Sequence, residues 1–586
     1  MNNSNPPLLP KLDKNDAGAD LEPEKARFPL GIPETKPETL RLVPLGGLGE
    51  IGKNMMALEY GDSIIIIDAG LMFPHDGMFG VDFIIPSIKY LEDRREKVTA
   101  ILITHGHEDH TGALPYILHT LNVPIFTAAL TQGLIKVKLK EHRLLNATTL
   151  NVIEPGSKIS IGPFEIEFFR VCHSIPDAMG IAINTPAGLI IHTGDFKIDY
   201  NPVDGNPTDF ADLSRICRDG VLLLMSDSTY AELPGFTPSE TVVDTTLENI
   251  IARASGRVLV ATFASLISRV QQIINIAVSH KKSVAVVGRS LVENTKMAIE
   301  MGYLKVPEHV LKPWAQLKYA PVTDIIVITT GAQGEPTSGL VRMSKGEHRD
   351  IQIQPQDTII LSASPIPGNE RLINQTVDNL LRQGANVLHS RNALVHVHGH
   401  ASQEELKIIL RITQPKYFVP IHGEFHHLKA HSNLASSMGV DNNNIFTIED
   451  GQILEITALN AGVVGTFSCS HVLVSGNYLW DSSDIVFEER KSLSTSGILI
   501  AIFPINRSTG ELTEPPLLFS KAVLNLENRP EVLDICAQEV LDSVKADTDL
   551  RHASAEDLQK YQNILGYYLY EQTGQRPLIQ INIVPI

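Results

Sequence analysis

Short apolar runs alternate with amphipathic stretches along most of the chain. Runs at 42–45, 55–58, 63–68, 100–104, 124–127, 164–170, 188–193 and 221–226 have the length and bulk of buried strands. A second block repeats the alternation at 258–262, 283–287, 324–329 and 358–362, with helix-length segments between. Strand–helix alternation in both blocks predicts α/β layering. Thr237-Pro238-Ser239-Glu240 predicts a capping box with Pro at the first helical position, opening a helix through Ala254. Beyond residue 456 a polar stretch leads to a strand at 497–504. Two amphipathic helices follow, one carrying Val532, Leu533, Cys536, Val540, Leu541 and Val544, the other Leu558, Tyr561, Leu565, Tyr568 and Leu569. A strand at 578–584 closes the chain, as in a small separate α/β domain. Residues 1–39 show little periodicity and hold seven prolines and seven acids, which predicts a flexible tail.

Composition narrows the class. Of 586 residues, 43% are hydrophobic and 20% charged, which excludes a disordered chain or a disulfide-stapled miniprotein. Four scattered cysteines (Cys172, Cys217, Cys469, Cys536) contain no CxxC pair, so a cysteine zinc knuckle is excluded and a reducing compartment fits. No apolar run approaches the roughly 20 residues of a membrane helix, and no secretory h-region opens the chain. A cytoplasmic protein without a membrane partner is expected. The net charge of −18 argues against coating nucleic acid through bulk charge.

Gly47-Leu48-Gly49-Glu50-Ile51-Gly52 matches GxGxxG, the dinucleotide-binding pattern. That pattern needs a helix to follow, so that its N-terminus faces phosphate. Here the next segments read as a hairpin, 55–58 then 64–68 around Gly61-Asp62, so a tight glycine turn between strands is expected instead.

The chemistry gathers around histidine. His105-Gly106-His107-Glu108-Asp109-His110 lies where an apolar strand ends and a helix begins. His105 and His107, two apart on an extended segment, point the same way. Asp109 and His110 on the next turn can serve a second ion. Imidazole and carboxylate donors suit zinc, or manganese where carboxylates dominate. Further ligand-type residues follow apolar runs: Asp68, His173, Asp195 and His422. Together they line one edge of a sheet, where α/β proteins carry their sites.

These motifs resemble the metallo-β-lactamase superfamily: HxHxDH, a later lone His, an Asp and a last His. The 227 residues from Asp195 to His422 exceed a simple hydrolase of that fold. They contain a pattern similar to the β-CASP insertion, with Asp227 in Ser226-Asp227-Ser228-Thr229 and His400 in Gly399-His400-Ala401-Ser402. Within that group the match is to the ribonuclease J family, over most of 41–455. The resemblance implies an αββα sandwich interrupted by an α/β β-CASP domain, plus a small C-terminal α/β domain. The implied boundaries are 1–39 tail, 40–239 and 394–455 for the two parts of the sandwich, 240–393 β-CASP, and 456–586 C-terminal.

It also implies two divalent metal ions per chain, zinc first, with manganese or magnesium as substitutes. His105, His107 and His173 hold one; Asp109, His110 and His422 hold the other; Asp195 bridges. Asp68 orients the histidines. The implied activity is hydrolysis of RNA phosphodiesters in RNA maturation and decay: 5′–3′ exonuclease on single-stranded 5′-monophosphorylated RNA, and endonuclease. Asp109 or Asp195 accepts the proton of the nucleophile, and His400, oriented by Asp227, protonates the leaving oxygen. The substrate pocket takes in Ser362, Ser364, His396, Val397, His398, Gly399 and His400, with Gly368 adding backbone N–H. His398 stands where the family carries Ser. Arg257, Arg269, Lys281, Lys282 and Arg289 are candidates for a basic wall, and the acidic total requires a narrow basic channel for RNA. A homodimer or homotetramer and RNA-degradation partners are further implications. The competing readings are an acyl hydrolase of the same fold, a non-catalytic RNA-binding scaffold and a β-CASP nuclease acting on DNA.

Overall fold

The computed structural model describes residues 31–586 except 35, 37, 76, 79, 367, 368, 477, 482–484, 524, 525, 527, 528 and 545–548. The expected tail lies almost wholly outside the described residues, as does Gly368. Backbone pairing begins before residue 40: Gly31 N–H donates to Thr466 O at 2.9 Å.

Two sheets pack face to face. The first has eight strands, in the order Ala461–Thr466, Gln452–Ile456, Leu40–Gly46, Met55–Tyr60, Ser63–Ile67, Val98–Leu102, Ile125–Thr127, Leu150–Val152. The second has six: Tyr417–Ile421, Leu223–Asp227, Gly188–His192, Met179–Thr185, Phe164–Arg170, Lys158–Ile161. Ser63–Ile67 explains why the apolar runs are continuous. Ile65 and Ile67 face the inter-sheet core with Leu58, Phe164, Phe168 and Val419, while Ile64 and Ile66 face the outer helices with Leu114 and Ile117. Both faces of the strand are covered, so neither can be polar. On the far side, Leu406, Ile409 and Leu410 of helix Gln403–Thr413 cover Phe169, Ile191 and Leu224. The expected helix–sheet–sheet–helix sandwich is what these layers form.

Residues between the sandwich's two parts make a five-stranded, all-parallel sheet: Ser283–Val287, Ile325–Thr329, Val258–Ala261, Thr358–Leu361, Asn386–His389. At the C-terminal end, helices Pro530–Ser543 and Ala555–Thr573 pack on a three-stranded sheet, Leu517–Lys521, Ile498–Ile505, Leu578–Pro585. Among the described residues no helix is long and apolar enough to cross a membrane.

Several expectations are corrected. The capping box at Thr237–Glu240 does not form; the helix starts at Thr241. Glu240 instead pairs with Arg269 (Oε2 to Nη2, 2.7 Å), and its N–H donates to Asp199 Oδ2. Arg269 and Arg257 are buried and committed, Arg257 to Asp357 at 2.5 Å, so neither belongs to a basic wall. The polar stretch after 456 is structured: Ala461–Thr466 extends the first sheet, His471–Ser475 pairs with Phe83–Pro86, and Ile485–Ser496 is a helix. The glycine segment matches its reading. Leu48–Gly49 pairs with Gly423–Glu424, and Met55–Tyr60 and Ser63–Ile67 form a hairpin.

Candidate metal centre

The ligand-type residues follow the ends of strands that point to one edge of the sandwich: Asp68 after Ser63–Ile67, the His105 segment after Val98–Leu102, His173 after Phe164–Arg170, Asp195 after Gly188–His192, and His422 after Tyr417–Ile421. Asp68 and His422 have left-handed backbones (φ 60° and 52°), strain of the kind that concentrates at functional turns. Gly70 lets the backbone of the HxHxDH turn come close, since a Cβ there would lie 1.5 Å from Asp109 O.

Three imidazoles converge. His107 Nδ1 lies 3.0 Å from His105 Nε2 and 3.1 Å from His173 Nε2. The outward nitrogens are already engaged: His105 Nδ1 with Thr104 Oγ1 at 3.1 Å, and His173 Nδ1–H with Gly399 O at 2.8 Å. Burial holds all three rings below the ordinary histidine range, His107 at about 4, so they are neutral lone-pair donors. Lone pairs gathered this closely fit a cation between them.

A second group lies alongside: Asp109, His110, Asp195 and His422. Asp109 Oδ2 is 3.6 Å from His110 Nε2 and 3.5 Å from His422 Nε2. His422 Nε2 is buried with no hydrogen-bond partner, an orphan that a cation satisfies. Asp195 Oδ2 faces both groups, 3.2 Å from His110 Nε2, 3.7 Å from His105 Nε2 and 3.9 Å from His173 Nε2. Burial opposes charge on Asp195, but His110 and His422 hold its carboxyl well below the usual range. Asp68 supports the edge, accepting from Thr104 N at 2.8 Å, Thr104 Oγ1 at 2.9 Å and His110 Nδ1 at 2.8 Å. The donor set and the fold indicate divalent-metal binding.

Above this centre, His400 Nδ1 meets Asp227 Oδ2 at 2.8 Å. Asp227 is itself held by Thr229 N and Oγ1, at 3.0 and 2.8 Å. Burial disfavours a charged His400, yet Asp227 and then Asp195 raise it to about 9.

All of this opens into a cleft of about 1700 Å³ between the sandwich and the parallel-sheet unit. Ser364, His396, His398, Gly399 and His400 line it. Ser362 and Val397 do not: Ser362 Oγ donates to Val395 O, and Val397 is packed in the core, which corrects both side-chain assignments. His398 donates from Nδ1 to His400 O at 3.0 Å and stacks on Tyr230, centroids 3.8 Å apart and 8° from parallel. Of the expected basic wall only Arg289 faces the cleft. Among the described residues its Lys and Arg residues are Lys138, Arg289 and Arg342, against seven acids: Glu50, Glu108, Asp109, Glu141, Asp195, Glu335 and Glu424. Among the described residues no basic channel lines this cleft, and its excess of acids suits cations.

Sequence reading missed several contributors. Asn54 Nδ2 reaches Asp109 O at 3.1 Å and His110 Nε2 at 3.2 Å from the glycine segment. Glu405 ties three segments together, accepting from Ile198 N at 2.7 Å and from Thr237 N and Ser402 N at 2.8 Å. The Ser402-x-x-Glu405 capping-box pattern could have been read from the sequence. Thr104 and Tyr230 carried no such signal.

Comparison with known proteins agrees with this architecture. Residues 48–225 match the metallo-beta-lactamase superfamily, 255–380 the "Ribonuclease J, beta-CASP domain", 385–447 the "Zn-dependent metallo-hydrolase RNA specificity domain", and 485–586 the "Ribonuclease J C-terminal domain". Ribonuclease J 1 of Streptococcus pyogenes is 37% identical, covering 93% of this chain and 97% of its own. Ribonuclease J2 of Bacillus subtilis is 36% identical over 92% and 98%, and ribonuclease J of Mycolicibacterium smegmatis 39% over 94% and 99%. A solved structure of a protein of unknown function from Enterococcus faecalis shares the fold, with a TM-score of 0.51 at 16% identity over 71% of this chain and 100% of that one. With relatives matched over nearly their full length, the chain belongs to the ribonuclease J family, hydrolytic nucleases that join a metallo-β-lactamase domain to an inserted β-CASP domain.

Proposed function

We propose that this protein is a metal-dependent ribonuclease that removes nucleotides from the 5′ end of 5′-monophosphorylated RNA and also cuts internally. The observation that carries the reading is Asp195 Oδ2, shared between two converging donor groups, with the His400–Asp227 pair facing the same cleft. His105, His107 and His173 would hold one ion, and Asp109, His110 and His422 the other, with Asp195 between. Zinc is the ion we favour, because imidazole dominates the donor set. A pair of such ions lowers the pKa of water towards neutrality and offsets charge growing on the phosphate.

The protein's own groups supply the rest. Asp109, partly exposed beside the centre, is placed to accept the proton of the attacking water. His400 holds its proton at neutral pH and is placed to deliver it to the leaving 3′-oxygen. Products carry a 5′-phosphate and a 3′-hydroxyl, since this chemistry does not use the ribose 2′-hydroxyl. Ser364, His396, His398 and the Gly399 backbone form the end of the cleft we assign to the terminal phosphate. Gly399 is required there, because a Cβ would come within 2.6 Å of His173 Cε1.

We assign 40–239 and 394–455, with the added edge strand Ala461–Thr466, to the catalytic sandwich, 240–393 to the clamp over RNA, and 485–586 to assembly into a dimer or tetramer. A cytoplasmic role in RNA maturation and decay fits these assignments. The test is cleavage of 5′-monophosphorylated RNA, 5′-triphosphorylated RNA and DNA of one sequence, with zinc or manganese supplied. Mononucleotide release from 5′-monophosphorylated RNA alone supports the reading. Equal cleavage of DNA overturns the substrate, and no cleavage of any strand overturns the enzyme.

A further inference from the structure

A second cluster of histidines sits outside the centre, on the rim of the same cleft. Helix Phe425–Ser437 begins three residues after His422 and carries His426 and His427 in its first turn. Glu232 approaches from the turn that follows Asp227. One donor atom from each of Glu232, His426 and His427 lies within 4.8 Å of the others. His426 Nε2 is 3.7 Å from Glu232 Oε2, and its Nδ1 is 3.4 Å from Glu424 Oε2. The first separation is too long for a hydrogen bond. It is near the roughly 3.3 Å between two ligands of one tetrahedral zinc with bonds of about 2 Å. The second sets a carboxylate beside His426 Nδ1, whose charge favours the tautomer with its N–H on Nδ1 and Nε2 left as the donor.

His427 adds an independent sign. Its Nδ1 is buried and has no hydrogen-bond partner, and its ring lies 3.9 Å from that of His426. The cluster shares no residue with the donor groups around Asp195.

We propose that Glu232, His426 and His427 form a third divalent-metal site of the zinc class, with Glu424 orienting His426. Three protein ligands leave at least one position for water or a phosphate oxygen. The ion adds positive charge at the rim of a cleft whose acids outnumber its Lys and Arg residues.

The test counts ions on the full chain. Protein stripped with chelator is reloaded with zinc alone, and bound zinc per chain is measured by mass spectrometry. A zinc-edge anomalous map is recorded from crystals. Wild type carries one ion more than His426→Ala or Glu232→Gln, and Glu424→Gln weakens that ion about 10- to 100-fold. His105→Ala loses zinc at the centre but keeps the rim ion, so failure of one site is distinguishable from failure of the other. An anomalous peak between Glu232 and His426 is expected. Equal zinc in wild type and both rim variants, or no peak there while the centre is filled, overturns the proposal.

Discussion

Asp227→Asn separates proton supply from metal binding. The amide keeps the shape of the carboxylate and its contacts to Thr229, but removes the charge 2.8 Å from His400 Nδ1. Burial alone depresses a histidine, and the carboxylates of Asp227 first, then Asp195 and Asp109, lift His400 to about 9. Without the Asp227 charge, and with Asp195 and Asp109 committed to cations, burial wins and His400 falls towards the ordinary value of about 6.5. An acid works only while protonated, so cleavage persists below the His400 pKa and is lost as pH rises through it. At pH 7.5 a group at 9 is about 97% protonated and one at 6.5 about 10%, so proton occupancy alone costs about tenfold. General-acid catalysis is worth about 10²–10⁴-fold in all, which sets the upper limit. Cations in the neighbouring centre pull both proteins' alkaline limbs downward, so the difference between the two profiles is the readout. The assay is a single-turnover pH–rate profile of RNA cleavage, with bound metal measured on the same samples. The variant's limb should lie about two units or more to the acid side with metal content unchanged. Superimposable limbs refute the acid role, and loss of metal in step with activity refutes the separation of roles.

Other changes probe other parts. Asp68→Asn keeps an acceptor for Thr104 N but puts an NH2 donor where His110 Nδ1 met a carboxylate oxygen, and should weaken metal binding about 10- to 100-fold by chelator competition. Arg269→Met breaks a buried ion pair with Glu240 and should cost about 3–5 kcal/mol in urea unfolding, at a constant salt dependence of RNA binding. Because Lys138, Arg289 and Arg342 are the only Lys and Arg residues lining the cleft among those described, the slope of log binding constant against log salt should be no steeper than about −2, at about 0.7 per neutralised phosphate of a single strand. A slope of −4 or steeper would reveal a basic surface elsewhere.

The legible parts were those that local physics enforces. Ile64–Ile67 is apolar on both faces because each face is covered, so its strand can be read without partners. The HxHxDH turn concentrates ligands within six residues. What escaped depends on distant segments. Arg257 and Arg269 look like surface charge in sequence, but partners 100 and 29 residues away neutralise them in the interior. Glu240 looks like a cap until Arg269 claims it. Asn54 and Glu405 act on atoms 55 and 207 residues off, and Tyr230 matters only because His398 lies flat on it. The acidic total predicts a basic channel, whereas the folded cleft gathers acids around histidines, an arrangement suited to cations.

The most direct test of the central claim is the end chemistry of RNA cut by protein that has been stripped of metal and then reloaded. The stripped protein and His105→Ala should not cleave, and wild type should recover on adding zinc or manganese. The products should end in 5′-phosphate and 3′-hydroxyl. Cleavage that survives chelation, or products ending in a 2′,3′-cyclic phosphate, would contradict it.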